Sequence, residues 1–161
     1  MITMIMLTYN RENMVSRAIE SILAQTYEDF EYIIVDNGSA DRSGIIADEY
    51  AAKDRRIRVI HRPKGSISAG RNTGLDAARG DYIAFIDDDD WAESDLLAFL
   101  FNLIQECNAD VAIAGAADKI FEEKREMTPE EALIELMWRK RYNMSFPDKL
   151  FRRELFSDLR F

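Results

Sequence analysis

Four consecutive aspartates, Asp87-Asp88-Asp89-Asp90, follow the apolar run Tyr82-Ile83-Ala84-Phe85-Ile86. Two unit charges about 4 Å apart repel by about 1 kcal/mol in water, and by several times that near a protein surface. A chain that ends a buried strand with such a run is expected to place something positive there. A divalent cation carrying a phosphate ligand suits the residues best. Mg²⁺ and Mn²⁺ prefer carboxylate oxygens and leave coordination positions open for phosphates. The plain alternative is a solvated loop that caps the following helix. One aspartate would serve that purpose, because carboxylates favour helix N-termini.

The elements that must position this run can be read from periodicity. Ile2 to Leu7 is a continuous apolar strand signal broken only by Thr3. Val15, Ala18, Ile19, Ile22 and Leu23 carry the spacing of an amphipathic helix over residues 13–25. Tyr32 to Val35 is a second strand and Ile57 to His61 a third, with a helix over 43–53 between them. Residues 68–79 read as a helix stopped by Gly80. The strand before the aspartates follows. A helix marked by Leu96, Leu100, Leu103, Ile104 and Cys107 comes next, then a fifth strand over 110–114. Strict alternation with near-continuous apolar strands predicts an α/β fold, a parallel sheet covered on both faces. Ligands of such sheets bind outside the carboxyl ends of the strands. Thr8-Tyr9-Asn10, Asp36-Asn37-Gly38-Ser39 and Asp87 to Asp90 each sit where a strand ends, so all should meet at one sheet edge.

The remaining chain changes character. Residues 121–126 are charged. Thr128-Pro129-Glu130-Glu131 is a capping box with proline at the first helical position, which starts a helix running to about Arg141. Residues 149–156 read as a short strand or turn leading into a helix. One domain is expected at this length, with residues 1–115 as its ligand-binding part and 116–161 as the beginning of another part.

Other motifs narrow the chemistry. Gly65 to Asn72 has the G-x-x-x-x-G spacing of a phosphate loop, but Arg71 and Asn72 stand where lysine and serine or threonine are needed. G-x-G-x-x-G is absent, which argues against dinucleotide binding. Asp36 and Tyr9 gain their meaning from sharing the edge with the aspartates. A carboxylate can accept a base N–H, and an aromatic ring can stack on a base. His61 is read as a structural or surface histidine.

Composition excludes several classes. With 30 acidic against 21 basic residues the net charge is −9, which argues against a nucleic-acid groove. A single cysteine, Cys107, cannot form an internal disulfide and is read as a buried thiol. No apolar stretch reaches membrane-spanning length and no signal peptide opens the chain, so a cytoplasmic setting is expected. The sequons Asn37-Gly38-Ser39 and Asn143-Met144-Ser145 are then idle.

Four segments in order carry a resemblance. They are Leu7-Thr8-Tyr9-Asn10-Arg11, Val35-Asp36-Asn37-Gly38-Ser39-Ala40-Asp41, Gly70-Arg71-Asn72-Thr73-Gly74 and Phe85-Ile86-Asp87-Asp88-Asp89-Asp90-Trp91. With residues 149–156 in addition, the chain resembles the family-2 glycosyltransferases of GT-A (Rossmann-like) fold over nearly its whole length. The resemblance implies a mostly parallel central sheet and inverting transfer of a sugar from a nucleotide diphosphate, usually UDP, to a saccharide or glycoconjugate hydroxyl. It implies a cell-surface polysaccharide or glycoconjugate pathway, with the chain cytoplasmic or peripheral at the inner face of the membrane. It also implies roles. Thr8, Tyr9 and Asn10 meet the nucleotide, Asp36 accepts a hydrogen bond from the base, and Arg71 lies near it. Asp87-Asp88-Asp89 is the DXD motif. Asp88 or Asp87 contacts ribose, and Asp89, with Asp87, holds Mn²⁺ or Mg²⁺. Asp88 departs from the small residue usual at its position. The family's catalytic base is expected beyond Phe161, so these 161 residues would form the donor half of a longer protein.

Three rivals remain. A non-catalytic module that holds nucleotide sugars would differ only in turnover. A receiver-like signalling domain should carry a conspicuous lysine near the end of its fifth strand, and Lys119 is only loosely placed for that. A nucleotidyltransferase would open with a glycine-rich loop that Thr8-Tyr9-Asn10-Arg11-Glu12 lacks.

Overall fold

A computed structural model describes residues 1–115, 123–138 and 147–161. The segment around Lys119, the second sequon at Asn143 and the last turn of the helix expected to reach Arg141 lie outside the described residues. Four strands, β1 (Ile2–Thr8), β2 (Phe30–Asp36), β3 (Ile57–His61) and β4 (Tyr82–Asp87), run parallel. The helices α1 (Val15–Leu23), α2 (Ser43–Ala51) and α3 (Ile67–Ala77) connect them. Then come α4 (Leu96–Glu106), β5 (Val111–Ile113), α5 (Pro129–Trp138), β6 (Lys149–Arg152) and a 3-10 turn at Arg153–Phe156. Thr128 and Glu131 close the expected capping box through Thr128 N to Glu131 Oε2 at 2.9 Å and Glu131 N to Thr128 Oγ1 at 3.3 Å.

The strand order is β3-β2-β1-β4-β6-β5. The expected parallel sheet is therefore mostly parallel. Strand β6 runs antiparallel between β4 and β5, and β5 does not touch β4. Side chains explain why β6 takes the inner place. Its Leu150 is fully buried and its Phe151 joins the opposite core, whereas β5 offers only Ala112 for burial and leaves Val111 exposed.

Alternation along the central strands feeds two cores, because successive side chains point to opposite faces. Met4, Met6, Ala84 and Ile86 pack with Ile19 and Ile22 of α1 and Leu97, Leu100 and Ile104 of α4. Ile5, Ile83 and Phe85 face the other way, onto Leu75 of α3 and the aromatic rings of Phe151, Phe156 and Phe161. Thr3, the break in the first apolar run, is fully buried. Its hydroxyl donates to Glu31 at 2.8 Å and accepts from Gly80 N at 2.9 Å. Gly80 therefore serves close packing rather than a left-handed helix cap. Helix α3 ends at Ala77, and a Cβ on Gly80 would sit 2.6 Å from Thr3 N. Cys107 lies at the end of α4 and is partly exposed rather than buried.

Candidate functional site

Register alone brings the chemistry to one edge. Thr8 pairs with Asp36, Leu7 with Asp87, and Asp36 with His61. The carboxyl ends of β3, β2, β1 and β4 thus present His61, Asp36, Thr8 and Asp87 side by side.

The four aspartates do four different things. Asp87 ends β4 half exposed and pairs with Arg71 Nη2 at 3.3 Å. Asp88 turns inward and accepts a hydrogen bond from Tyr9 N at 3.2 Å. Burial pushes its carboxyl above the usual carboxylate range, against the opposing pull of the Thr8 hydroxyl, Tyr9 N–H and Arg11. The Thr8 hydroxyl is buried and makes no hydrogen bond of ordinary geometry among the described residues, although it faces Asp88 closely enough to favour its charged form. Thr8 thus lies behind the site. Asp89 is about half exposed and, among the described residues, forms an ion pair only with Arg11 Nη2, at 3.7 Å. Asp90 closes a turn through its N–H to Asp87 O at 3.2 Å. Burial, then Asp87 and Asp89, push its carboxyl upward.

The acidic loop is clamped from α1 and the residues just past its end. Gln25, itself buried, donates from Nε2 to Glu93 O at 2.6 Å and accepts from Leu97 N at 2.9 Å. Ala92 N donates to Ser21 Oγ at 3.2 Å. Neither Gln25 nor Ser21 stands out in the sequence, because a polar residue at a helix end is ordinary until its partner is known. Arg11 was also missed. A basic residue just after β1, facing an acidic run just after β4, is the signal that finds it.

The loops after β1 and β2 are stitched together. Asn10, at φ +53°, donates from its N–H to Ser39 Oγ at 3.1 Å and accepts from Ala40 N at its side-chain oxygen at 2.8 Å. Arg11 N donates to Ser43 Oγ at 2.7 Å. Asn37 is buried. Its amide donates to Gly65 O at 2.9 Å, and its oxygen accepts from Gly65 N at 3.2 Å and from Arg62. This sequon therefore has no accessible amide. Lys64 Nζ sits 4.6 Å from the centre of the Tyr9 ring. Gly38, at φ +80°, lets the loop after β2 meet the loop after β3, since a Cβ there would lie 2.6 Å from Lys64 N. Gly38→Ala is expected to lower stability by about 1–3 kcal/mol, because both the backbone conformation and the contact oppose it. Urea denaturation measures this, and an unchanged midpoint would refute it.

Asp36 is buried, with Oδ1 accepting Ser39 N at 3.0 Å and Oδ2 facing His61 Nδ1 at 3.0 Å. His61 Nε2 faces both oxygens of Asp48 at 3.1 Å. The histidine read as structural thus touches a candidate site residue. Its pKa is raised, chiefly by the hydrogen bond with Asp36 and then by Asp48, against burial. On the far side of the site, Arg71 lies 5.3 Å from the ring centre of Phe161. Asn72 holds the Phe161 backbone from both sides, at 3.1 and 3.2 Å.

A mostly parallel α/β sheet with an acidic loop after β4 is the arrangement of the GT-A glycosyltransferases, and comparison with known proteins gives the family. The family model for "Glycosyl transferase family 2" matches residues 3–159, and the chain belongs to that family. It is 41% identical to glycosyltransferase GlyA of Streptococcus pneumoniae over 71% of this chain and 16% of GlyA. It is 43% identical to the uncharacterized glycosyltransferase EpsJ of Bacillus subtilis, over 71% of this chain and 33% of EpsJ. The chain therefore spans a third or less of these two relatives. A crystal structure of S. aureus TarS superposes with a TM-score of 0.81 at 26% identity, covering 98% of this chain and 29% of that one. A structure of TarS 1-349 in complex with UDP-GlcNAc gives 0.78 at 25% identity, covering 98% and 46%. No helix among the described residues is long and apolar enough to cross a membrane.

Proposed function

We propose that this chain is the donor-binding part of an inverting glycosyltransferase that uses a nucleotide-diphosphate sugar, UDP-linked by preference, and a divalent cation. The observation that carries the reading is the juxtaposition of Tyr9, Asp36 and Asp87 to Asp89 at one edge of the sheet, set by strand register. The likeness to TarS, whose structure holds UDP-GlcNAc, supports the choice of nucleotide.

On this reading the Tyr9 ring stacks on the base, and Asp36 accepts a base N–H. Two of its oxygen positions are already taken, but an ionised carboxylate has about four. Asn10 acts through the loop it ties down. Asp88 is committed to Tyr9 N and Arg11, so ribose falls to Asp87, and Arg71 neutralises Asp87 beside the nucleotide. The donor set fits Mn²⁺ or Mg²⁺. Asp89 presents half-exposed carboxylate oxygens with no hydrogen-bond partner among the described residues, backed by Asp87. No group of three or more His, Cys, Asp or Glu side chains able to hold a metal occurs among the described residues. An ion held by one or two carboxylates and completed by diphosphate oxygens is the usual Mg²⁺ arrangement. When bound, such an ion neutralises charge on the departing diphosphate. The acceptor hydroxyl needs a carboxylate to take its proton as it attacks. None of the residues above is assigned that role.

Calorimetric titration tests the proposal. UDP is expected to bind in the presence of Mn²⁺, more tightly than GDP, and to lose most of its affinity when EDTA is added. Absence of heat with either nucleotide and Mn²⁺ would sink it.

A further inference from the structure

Asp36 does not stand alone. It is the inner member of a chain of three side chains, Asp36–His61–Asp48, that crosses from β2 through the end of β3 to α2. The distances, 3.0 Å on the inner side and 3.1 Å on the outer, are hydrogen-bond distances. Gly44 makes the arrangement possible. A Cβ at that position would lie 2.6 Å from Asp36 Oδ2 and 3.2 Å from His61 Cε1. Asp36 is almost fully buried, whereas His61 and Asp48 are about half exposed, so the chain leads from the site to solvent.

We propose that His61 is a positioning residue for nucleotide recognition, fixing the Asp36 carboxylate for the base with Asp48 holding the imidazole in place. The inference rests on the reading of Asp36 as the base acceptor. A carboxylate on a strand end can rotate about its terminal torsion, which is broad rather than confined to staggered wells. Ser39 N fixes one oxygen. The His61 Nδ1–H fixes the other, so the remaining lone pairs point in a set direction. The protonated ring satisfies both neighbours at once, because imidazolium donates from both nitrogens. The neutral ring donates from one only and turns a lone pair toward the other carboxylate. The charged groups facing His61 are Asp36 from β2 and Asp48 from α2, the elements packed against β3. Both favour the charged ring. Its raised pKa means that the stabilisation is complete below the ordinary histidine value of about 6.5 and is lost as pH rises through the elevated one. Nucleotide affinity should follow the same direction.

The test is calorimetry of the full chain with UDP and with GDP, each with Mn²⁺, between pH 6 and 9. His61→Ala is expected to bind about tenfold more weakly at the acid end, the scale of a lost hydrogen bond to a charged group. His61→Asn, whose side-chain amide can take the place of Nδ1–H, should recover most of that loss. The ratio of wild-type to His61→Asn affinity should fall as pH rises, and the nucleotide's own titration cancels in that ratio. If His61→Asn is as weak as His61→Ala and the ratio is flat, the role is packing and the inference fails. If His61→Ala binds like wild type while Asp36→Ala does not, the inference fails and the base site stands. If Asp36→Ala binds like wild type, both fail.

Discussion

Replacing Asp89 with alanine is expected to weaken Mn²⁺-supported nucleotide binding by about 100-fold or more while leaving the fold intact. The magnitude follows from metal sites generally, where even indirect partners of the ligands are worth about 10–100-fold. The direction follows from the differing places of the four aspartates. Asp88 is turned inward on Tyr9 N, and Asp90 is engaged in the turn with Asp87. Asp87 is as exposed but pairs with Arg71 at 3.3 Å, whereas Asp89 combines exposure with an ion pair at 3.7 Å, a distance at which a surface pair adds little to stability. Its removal also relieves repulsion on Asp90, whose carboxyl it helps to push upward. Thermal unfolding without ligand should therefore shift by no more than the equivalent of about 0.5 kcal/mol. Calorimetry with and without Mn²⁺ reads the other half. Binding without metal should be the same in both proteins, and only the increment due to Mn²⁺ should vanish. An Asp89→Ala protein that keeps that increment would remove Asp89 from the proposed metal site.

The aspartate run was legible because charge repulsion and a buried strand in front of it are local properties. So was the shared edge, since alternation of apolar strands with helices implies a parallel sheet whose strand ends align. Long-range pairing was not legible. Residues 110–114 read as the next parallel strand, and nothing in their own sequence says that β6 will slip between them and β4. That choice depends on Leu150 and Phe151 filling both cores better than Val111 and Ala112 could. The contact of His61 with Asp36 and Asp48 was hidden for a related reason. A histidine at a strand end looks solvated until register sets it beside Asp36, and until Gly44 lets α2 bring Asp48 close. Gly80 shows the opposite error. It sits where a helix stop is expected, but its lack of a side chain is used against β1. The resemblance to a family pointed to Asp36, Arg71 and Asp87 to Asp89, which the structure gathers at one sheet edge. It did not reveal Gln25, Ser21 or Arg11, which hold or face the acidic loop.

The second large effect belongs to Phe85. Its ring is buried on the face of β4 opposite α1 and α4, and it meets Phe151, Phe156 and Phe161 with centroids 6.5, 6.1 and 5.5 Å away. All three contacts are edge-on, the geometry in which aromatic pairs add to simple burial. Phe85→Ala should cost about 3–5 kcal/mol, the range for deleting a buried aromatic ring. The loss should exceed that of Phe161→Ala, because Phe161 is only partly buried. The consequence reaches the site. Phe161 rests on Phe85, and Arg71 rests on Phe161 while pairing with Asp87. Helix α3, which carries Arg71, also approaches the sheet closely enough that a Cβ on Gly74 would lie 2.5 Å from Ile5 Cγ2. Loosening this core therefore lets Arg71 drift from Asp87, and nucleotide affinity should fall along with stability. Urea denaturation and UDP titration of the same Phe85→Ala sample separate the two effects. A stability loss below about 1 kcal/mol would mean that the aromatic cluster collapses around the gap and does not brace the site. Full loss of stability with unchanged affinity below the unfolding transition would mean that the place of Arg71 does not depend on the Phe161 ring.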